Sequence, residues 1–210
     1  MTEIILARHG ETEWNMAEVF RGRIDIGLNE TGVKQAELLA RHFCAVRIEA
    51  IYSSPLTRAL KTVEMMARYH SLPVEIALGL VDFNYGVWQG LSHQKVKEKY
   101  RELYTEWLQN PHRVKIPAGE SLDDVRKRAM GVVDSIISQY DGTVVLVSHR
   151  VVNKVLICAL LGLDNSHFWN IKQDTGSTTT FTYENNRFIL TRHNDVSYLE
   201  PLHKAPLGDF

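Results

Sequence analysis

Two stretches of this chain are built alike. Ile4-Ile5-Leu6-Ala7 runs into Arg8-His9-Gly10, and Val144-Val145-Leu146-Val147 runs into Ser148-His149-Arg150. Short apolar runs of this kind read as buried strands, so each histidine is expected just past a strand's carboxyl end. In open α/β sheets that edge is where ligands bind. Two imidazoles there can face one pocket, one attacking and the other stabilising. Either alone is more readily a structural histidine with satisfied ring nitrogens. Their shared placement, with Arg8 beside one of them, favours a working pair.

The neighbours suit an anion. Gly10 lets a ligand approach the backbone, and Arg8 offers planar, permanently charged donors matched to phosphate oxygens. Ser54-Pro55-Leu56-Thr57-Arg58 reads as a helix opening, with Ser54 as N-cap and Pro55 at the first helical position. That puts Arg58 one turn in, near the positive end of the helix dipole. Alone, Arg58 would be a solvated surface residue; with Arg8 and two histidines it belongs to an anion pocket. The competing use of a histidine-rich site is a metal. None of the nine histidines stands at His-Glu-x-x-His spacing, and there is no Cys-x-x-Cys pair, Walker loop or dinucleotide fingerprint. The expectation is no metal and no cofactor.

These residues need a scaffold, and the rest of the chain supplies one. Strands are expected over 3–7, 50–53, 73–77 and 143–147, the last the clearest. Helices are expected over 31–45, from Ser54 to about Tyr69, over 92–108 up to Asn110-Pro111, from a Ser121/Asp124 capping box to about Tyr140, and from Val151 to Leu161 with Gly162 as C-cap. Residues 178–183 and 187–191 flank Glu184-Asn185-Asn186 as a terminal hairpin. Alternating strands and helices indicate an α/β fold, a three-layer sandwich with a mostly parallel central sheet and helices on both faces. Residues 82–120 are read as a lid or cap insertion within a single domain, 1–210.

With those motifs in place, a family resemblance is plain. Arg8-His9-Gly10-Glu11-Thr12, Asn15, Arg21-Gly22-Arg23 and Leu28 with Gly32 resemble the histidine phosphatase superfamily, the phosphoglycerate mutases and related phosphatases. Ser53 to Ala59, Gly86-Val87-Trp88-Gln89-Gly90, Gly119-Glu120-Ser121, Val147-Ser148-His149, Phe168-Trp169 and His193-Asn194-Asp195 follow in the family's order. The likeness runs from Glu3 to about Leu199. It implies that His9 is a nucleophile that becomes phosphorylated. It also implies that Arg8, Arg58 and His149 bind the transferring phosphoryl group, and that Asn15 contacts phosphate or supports the pocket. The family's general acid is usually a glutamate four residues before the glycine of the glycine-tryptophan signature. Here that position is Asp82, one methylene shorter, so the acid must sit closer or act through water.

The resemblance favours the phosphatase branch over the mutases, because Phe20-Arg21-Gly22-Arg23 departs from the mutase Phe-Thr-Gly-Trp pattern. The expected substrate is a small phosphorylated metabolite. Phosphoserine is one candidate, since Asn110-Pro111-His112 to Leu122 and the His203-Lys204-Ala205 tail resemble metal-independent phosphoserine phosphatases; Tyr85 stands where that subgroup usually has histidine. Arg21, Tyr85 and Arg150 are expected to contact the substrate. Arg150 replaces the usual small residue and would read a second anionic group unless it turns to solvent or pairs with Asp174. A cofactor-dependent mutase and a non-catalytic phospholigand-binding module stay open.

Composition narrows the remainder. Hydrophobic residues are 44% of 210 and charged residues 23%, with no long run of either sign, which suits one globular domain. A net charge of -1 gives no nucleic-acid footprint. No apolar stretch is long enough to span a membrane and no signal peptide is visible, so the chain is expected to be cytoplasmic. A homodimer is allowed for. Cys44 and Cys158 are expected as reduced, buried thiols, and the four tryptophans as packing residues.

Overall fold

The computed structural model describes residues 1–202 of the chain. Its six strands are β1 (Thr2–Arg8), β2 (Ile48–Ser53), β3 (Val74–Ile76), β4 (Thr143–Ser148), β5 (Thr178–Glu184) and β6 (Arg187–Asp195), in one sheet of order β3-β2-β4-β1-β5-β6. β1 to β4 pair in parallel, and the β5–β6 hairpin closes the β1 side antiparallel.

The continuous apolar runs follow from burial on both faces. Ile5, Ala7, Val145 and Val147 pack with α2 (Glu30–His42) and α3 (Thr57–His70). Ile4, Leu6, Val144 and Leu146 point the other way, onto α6 (Leu122–Gln139) and α7 (Arg150–Leu160). Each such Ile, Leu or Val side chain, fully buried, contributes roughly 1.5–3 kcal/mol. This is the three-layer sandwich expected. Residues 82–120 carry two short helices, α4 (His93–Lys99) and α5 (Arg101–Gln109). They join the α6/α7 side through Phe83, Tyr85, Trp88 and Trp107.

Several local expectations need correction. Ser54 does not cap α3, which begins at Thr57 after an extended Leu56. The Ser54 hydroxyl is engaged instead by His149 at 2.7 Å, and Asp25 accepts from the Thr57 amide at 2.8 Å. The helix expected over 92–108 breaks at Tyr100 (φ -129, ψ 44), whose ring packs near Trp88. Cys44 is exposed rather than buried, because it lies beyond the end of α2, while Cys158 is buried; neither forms a disulfide. Val33, at helical spacing with the buried Ala36 and Leu39 of α2, is exposed. The tail His203-Lys204-Ala205 lies outside the described residues. No helix among those described is long and apolar enough to cross a membrane.

Candidate active site

Strand register brings the two histidines together. β1 and β4 are parallel neighbours with Arg8 opposite Ser148, so His9 and His149 leave the sheet side by side. Their ring centroids are 5.1 Å apart. β2 flanks β4 on the other side, with Ser53 opposite Val147, and leads through Ser54 into α3 and Arg58. His9, Arg58 and His149 are 0% exposed, Asp82 5% and Arg8 6%. Five polar groups so deeply buried need partners, and the partners define their chemistry.

His9 Nδ1 lies 2.6 Å from the Gly10 carbonyl, which can only accept, so Nδ1 carries the proton. Nε2 then bears the lone pair, and it is buried with no hydrogen-bond partner. Burial holds the His9 pKa well below its usual value, with His149, Arg58, Arg21 and Arg8 adding to the effect. The ring is therefore neutral, with an unpartnered lone pair on Nε2. His149 has the opposite tautomer. Its Nδ1 accepts from Arg58 Nε at 3.3 Å, so Nε2 carries the proton and donates to Ser54 Oγ at 2.7 Å. Burial, then Arg58, keeps His149 neutral as well.

Arg58 is nearly saturated. Besides His149 it donates to the carbonyls of Ile24 (3.0 Å) and Gly22 (2.8 Å) and to Asp82 Oδ2 (2.8 Å). It thus fixes the loop that carries Arg21. Asp82 also accepts from the Phe83 amide through Oδ1 at 2.8 Å, and its Oδ2 is 3.5 Å from His149 Nδ1. Far from a solvated loop carboxylate, Asp82 is ion-paired inside the site. Its backbone is braced by Arg128, which donates to the carbonyls of Gly79 (2.7 Å) and Asp82 (3.3 Å). Glu120 holds Arg128 Nε at 3.0 Å and the Asn84 amide at 2.9 Å. The Gly119-Glu120-Ser121 motif therefore works as a brace for the Asp82 loop.

The His9 loop is tied down on both helices: Gly10 N donates to Thr62 Oγ1 at 2.9 Å and Glu11 N to Gln35 Oε1 at 2.8 Å. Arg8 Nη1 donates to the carbonyl of Gln173. Asn15 Oδ1 takes the amide and hydroxyl of Thr12, both at 2.9 Å, capping the one-turn helix α1 (Glu13–Met16). Asn15 thus braces the turn that follows the His9 loop. Arg21, Tyr85 and Arg150 line one cavity next to Asp82. Arg150 does not pair with Asp174, whose partners are Lys172 (3.0 Å) and Asn194 (2.8 Å). Sequence reasoning missed Gln173 and the site role of Ser54. Gln173 lies in irregular chain with no periodicity to mark it, and Ser54 was masked by its resemblance to a cap. No group of three or more His, Cys, Asp or Glu side chains positioned to hold a metal occurs among the described residues.

Comparison with known proteins identifies the family. The model of the histidine phosphatase superfamily (branch 1) matches residues 4–196. Phosphoserine phosphatase 1 of Hydrogenobacter thermophilus is 36% identical over 200 residues, 95% of each chain. Among solved structures, Bacillus stearothermophilus YhfR superposes with a TM-score of 0.91 at 31% identity, covering 95% of this chain and all (100%) of its own. The phosphoserine phosphatase of Entamoeba histolytica, in complex with 3-phosphoglyceric acid, gives 0.83 at 29% identity over 95% of this chain and 100% of that one.

Proposed function

The chain belongs to the histidine phosphatase superfamily, and from that premise we propose that it hydrolyses phosphomonoesters of small metabolites through a phosphohistidine at His9. The observation that carries this reading is the buried, unpartnered Nε2 of a neutral His9, beside His149 and the Arg58–Asp82 pair. The Nε2 lone pair attacks phosphorus as the ester P–O bond breaks. Arg8 and Arg58, and the Nε2–H of His149 once it turns from Ser54 Oγ to the incoming group, balance the charge on the equatorial oxygens. The departing alkoxide takes a proton from the Asp82 carboxyl. Water then attacks phosphorus, the P–N bond breaks, and the Asp82 carboxylate accepts the proton of that water. What supports this role for Asp82 is its hydrogen bond to Arg58 and its 3.5 Å distance from His149. The 82–120 segment, which carries Asp82 and Tyr85, would cap the substrate.

The test is a panel of small phosphate esters, with and without EDTA, read as inorganic phosphate. Multiple turnovers insensitive to the chelator are expected. Stoichiometric binding without phosphate release would make the chain a binding module. Conversion of 3-phosphoglycerate to 2-phosphoglycerate only with a bisphosphoglycerate primer, with little free phosphate, would make it a mutase.

A further inference from the structure

Beyond Asp82, on the side where a leaving group would emerge, the cavity has an unusual charge. It is partly open to solvent and is lined by Phe20, Arg21, Asp82, Tyr85, His93 and Arg150 among others. The one acid in its wall, Asp82, is already engaged by Arg58. That leaves two guanidinium groups from distant parts of the chain facing the same space. We propose that Arg21 and Arg150 form a second anion subsite that takes a carboxylate on the leaving group of the substrate. The assignment rests on the phosphatase reading above and names its substrate class.

Three observations carry it. First, Arg21 Nε is buried with no hydrogen-bond partner, and an orphaned buried donor costs free energy that a bound anion would recover. Second, Arg150 is the first residue of α7, behind the N-cap His149. A cation is disfavoured at that end of a helix dipole, so its placement is a cost that folding alone does not explain. Third, Arg150 and the buried Tyr85 phenol line the same cavity beside Asp82, so a charged donor and a hydroxyl face one space. Burial and the nearby Arg58 and Arg150 pull Arg21 down to about 10, against the pull of Asp82, and it remains charged at neutral pH. His93 stacks on Phe20 with centroids 4.2 Å apart. It is held neutral by burial and by both arginines, near 4. The slot thus has two charged forks and aromatic walls, and either fork can take a carboxylate in bidentate fashion.

The test separates binding from turnover. O-phosphoserine and O-phosphoethanolamine differ only in the carboxylate, as 3-phosphoglycerate and glycerol 3-phosphate differ in carboxylate against hydroxymethyl. Arg21→Ala and Arg150→Ala should each lower the kcat/KM ratio of phosphoserine to phosphoethanolamine about ten- to a hundredfold. Arg150→Met, which keeps an apolar stem, should do the same should the alanine variant fold poorly. In a His9→Ala background, calorimetric titration should show the same loss for 3-phosphoglycerate over glycerol 3-phosphate. That measurement holds whether or not the enzyme turns these esters over, so failure of the phosphatase reading would be seen separately. Equal losses on both members of each pair would overturn the subsite. A wild-type preference for a bisphosphate over phosphoserine, abolished by the same variants, would overturn the carboxylate assignment.

Discussion

Arg58 Nη2 donates to Asp82 Oδ2 at 2.8 Å, in a pair whose side chains are 0% and 7% exposed. The residue expected to bind the phosphoryl group therefore already holds the residue expected to be the acid. A phosphoryl dianion that takes Arg58 competes with this bond and sets negative charge beside Asp82. Asp82→Asn removes both the competitor and the acid. The expected outcome is a kcat lower by about 10² to 10⁴-fold on alkyl phosphates, with a tighter inhibition constant for inorganic phosphate. An activated aryl phosphate should lose less. Steady-state kinetics on both ester types check this; equal losses, with weaker phosphate inhibition, would remove Asp82 from the role.

His9 should carry the phosphoryl group during turnover. The Gly10 carbonyl fixes the proton on Nδ1, so the adduct should form on Nε2. Rapid quench with labelled substrate should trap an acid-labile, base-stable label, absent from His9→Ala. Replacing His9 by glutamine should abolish trapping too. Full activity and label in either variant would be incompatible with this nucleophile.

Much of this was legible in the sequence because it rests on short-range pattern. The apolar runs before His9 and His149 are continuous since β1 and β4 are covered on both faces, and the register Arg8 opposite Ser148 follows once the two strands are neighbours. Asp82 was readable only through its spacing to Gly86, since its burial depends on Arg58 and Arg128 from two separate helices. Ser54 was misread for the same reason: a Ser-Pro pair looks like a local cap, while the contact that claims its hydroxyl comes from His149 across the sheet. The meeting of Arg21, Tyr85, His93 and Arg150 has no local signature, because Arg21, Arg150 and the 82–120 segment that carries the other two are distant in sequence.

Gly86 and Gly90 bound the same motif, yet they should respond very differently to alanine. Both have positive φ, +49 and +80. A Cβ on Gly86 would lie 2.0 Å from the Pro117 carbonyl oxygen and 2.6 Å from the Gly119 amide, both backbone atoms that cannot swing aside. On Gly90 the nearest atom is Ile24 Cδ1 at 3.6 Å, an ordinary contact. Gly90→Ala should cost only backbone strain, about 1 kcal/mol. Gly86→Ala should cost about 3 kcal/mol or more and displace the Asp82 loop. Thermal unfolding should then show Tm falls of about 2–4 °C and about 6–12 °C respectively. Equal shifts would mean that the two loops do not pack as described.

Stability should fall as the pH drops below about 6.5, before most carboxylates titrate. His9 and His149 are buried and neutral, and burial holds both well below 6.5. In the unfolded chain each titrates near its ordinary value. Between that value and the folded one, the unfolded state binds one more proton per histidine, so unfolding free energy rises with pH and is lost as pH falls. The full slope is about 1.4 kcal/mol per pH unit for each ring, and from pH 6.5 to 5.5 the pair should cost about 2 kcal/mol. His93, pulled down to about 4, acts in the same direction over the same window. Urea unfolding at pH 7.5, 6.5 and 5.5 checks this, in buffers without phosphate, since an anion bound to the folded site would mask the effect. Replacing His149 by glutamine should leave the remaining slope visibly shallower. A wild-type stability that is flat or rises between pH 6.5 and 5.5 would show that the two rings are not held neutral by burial.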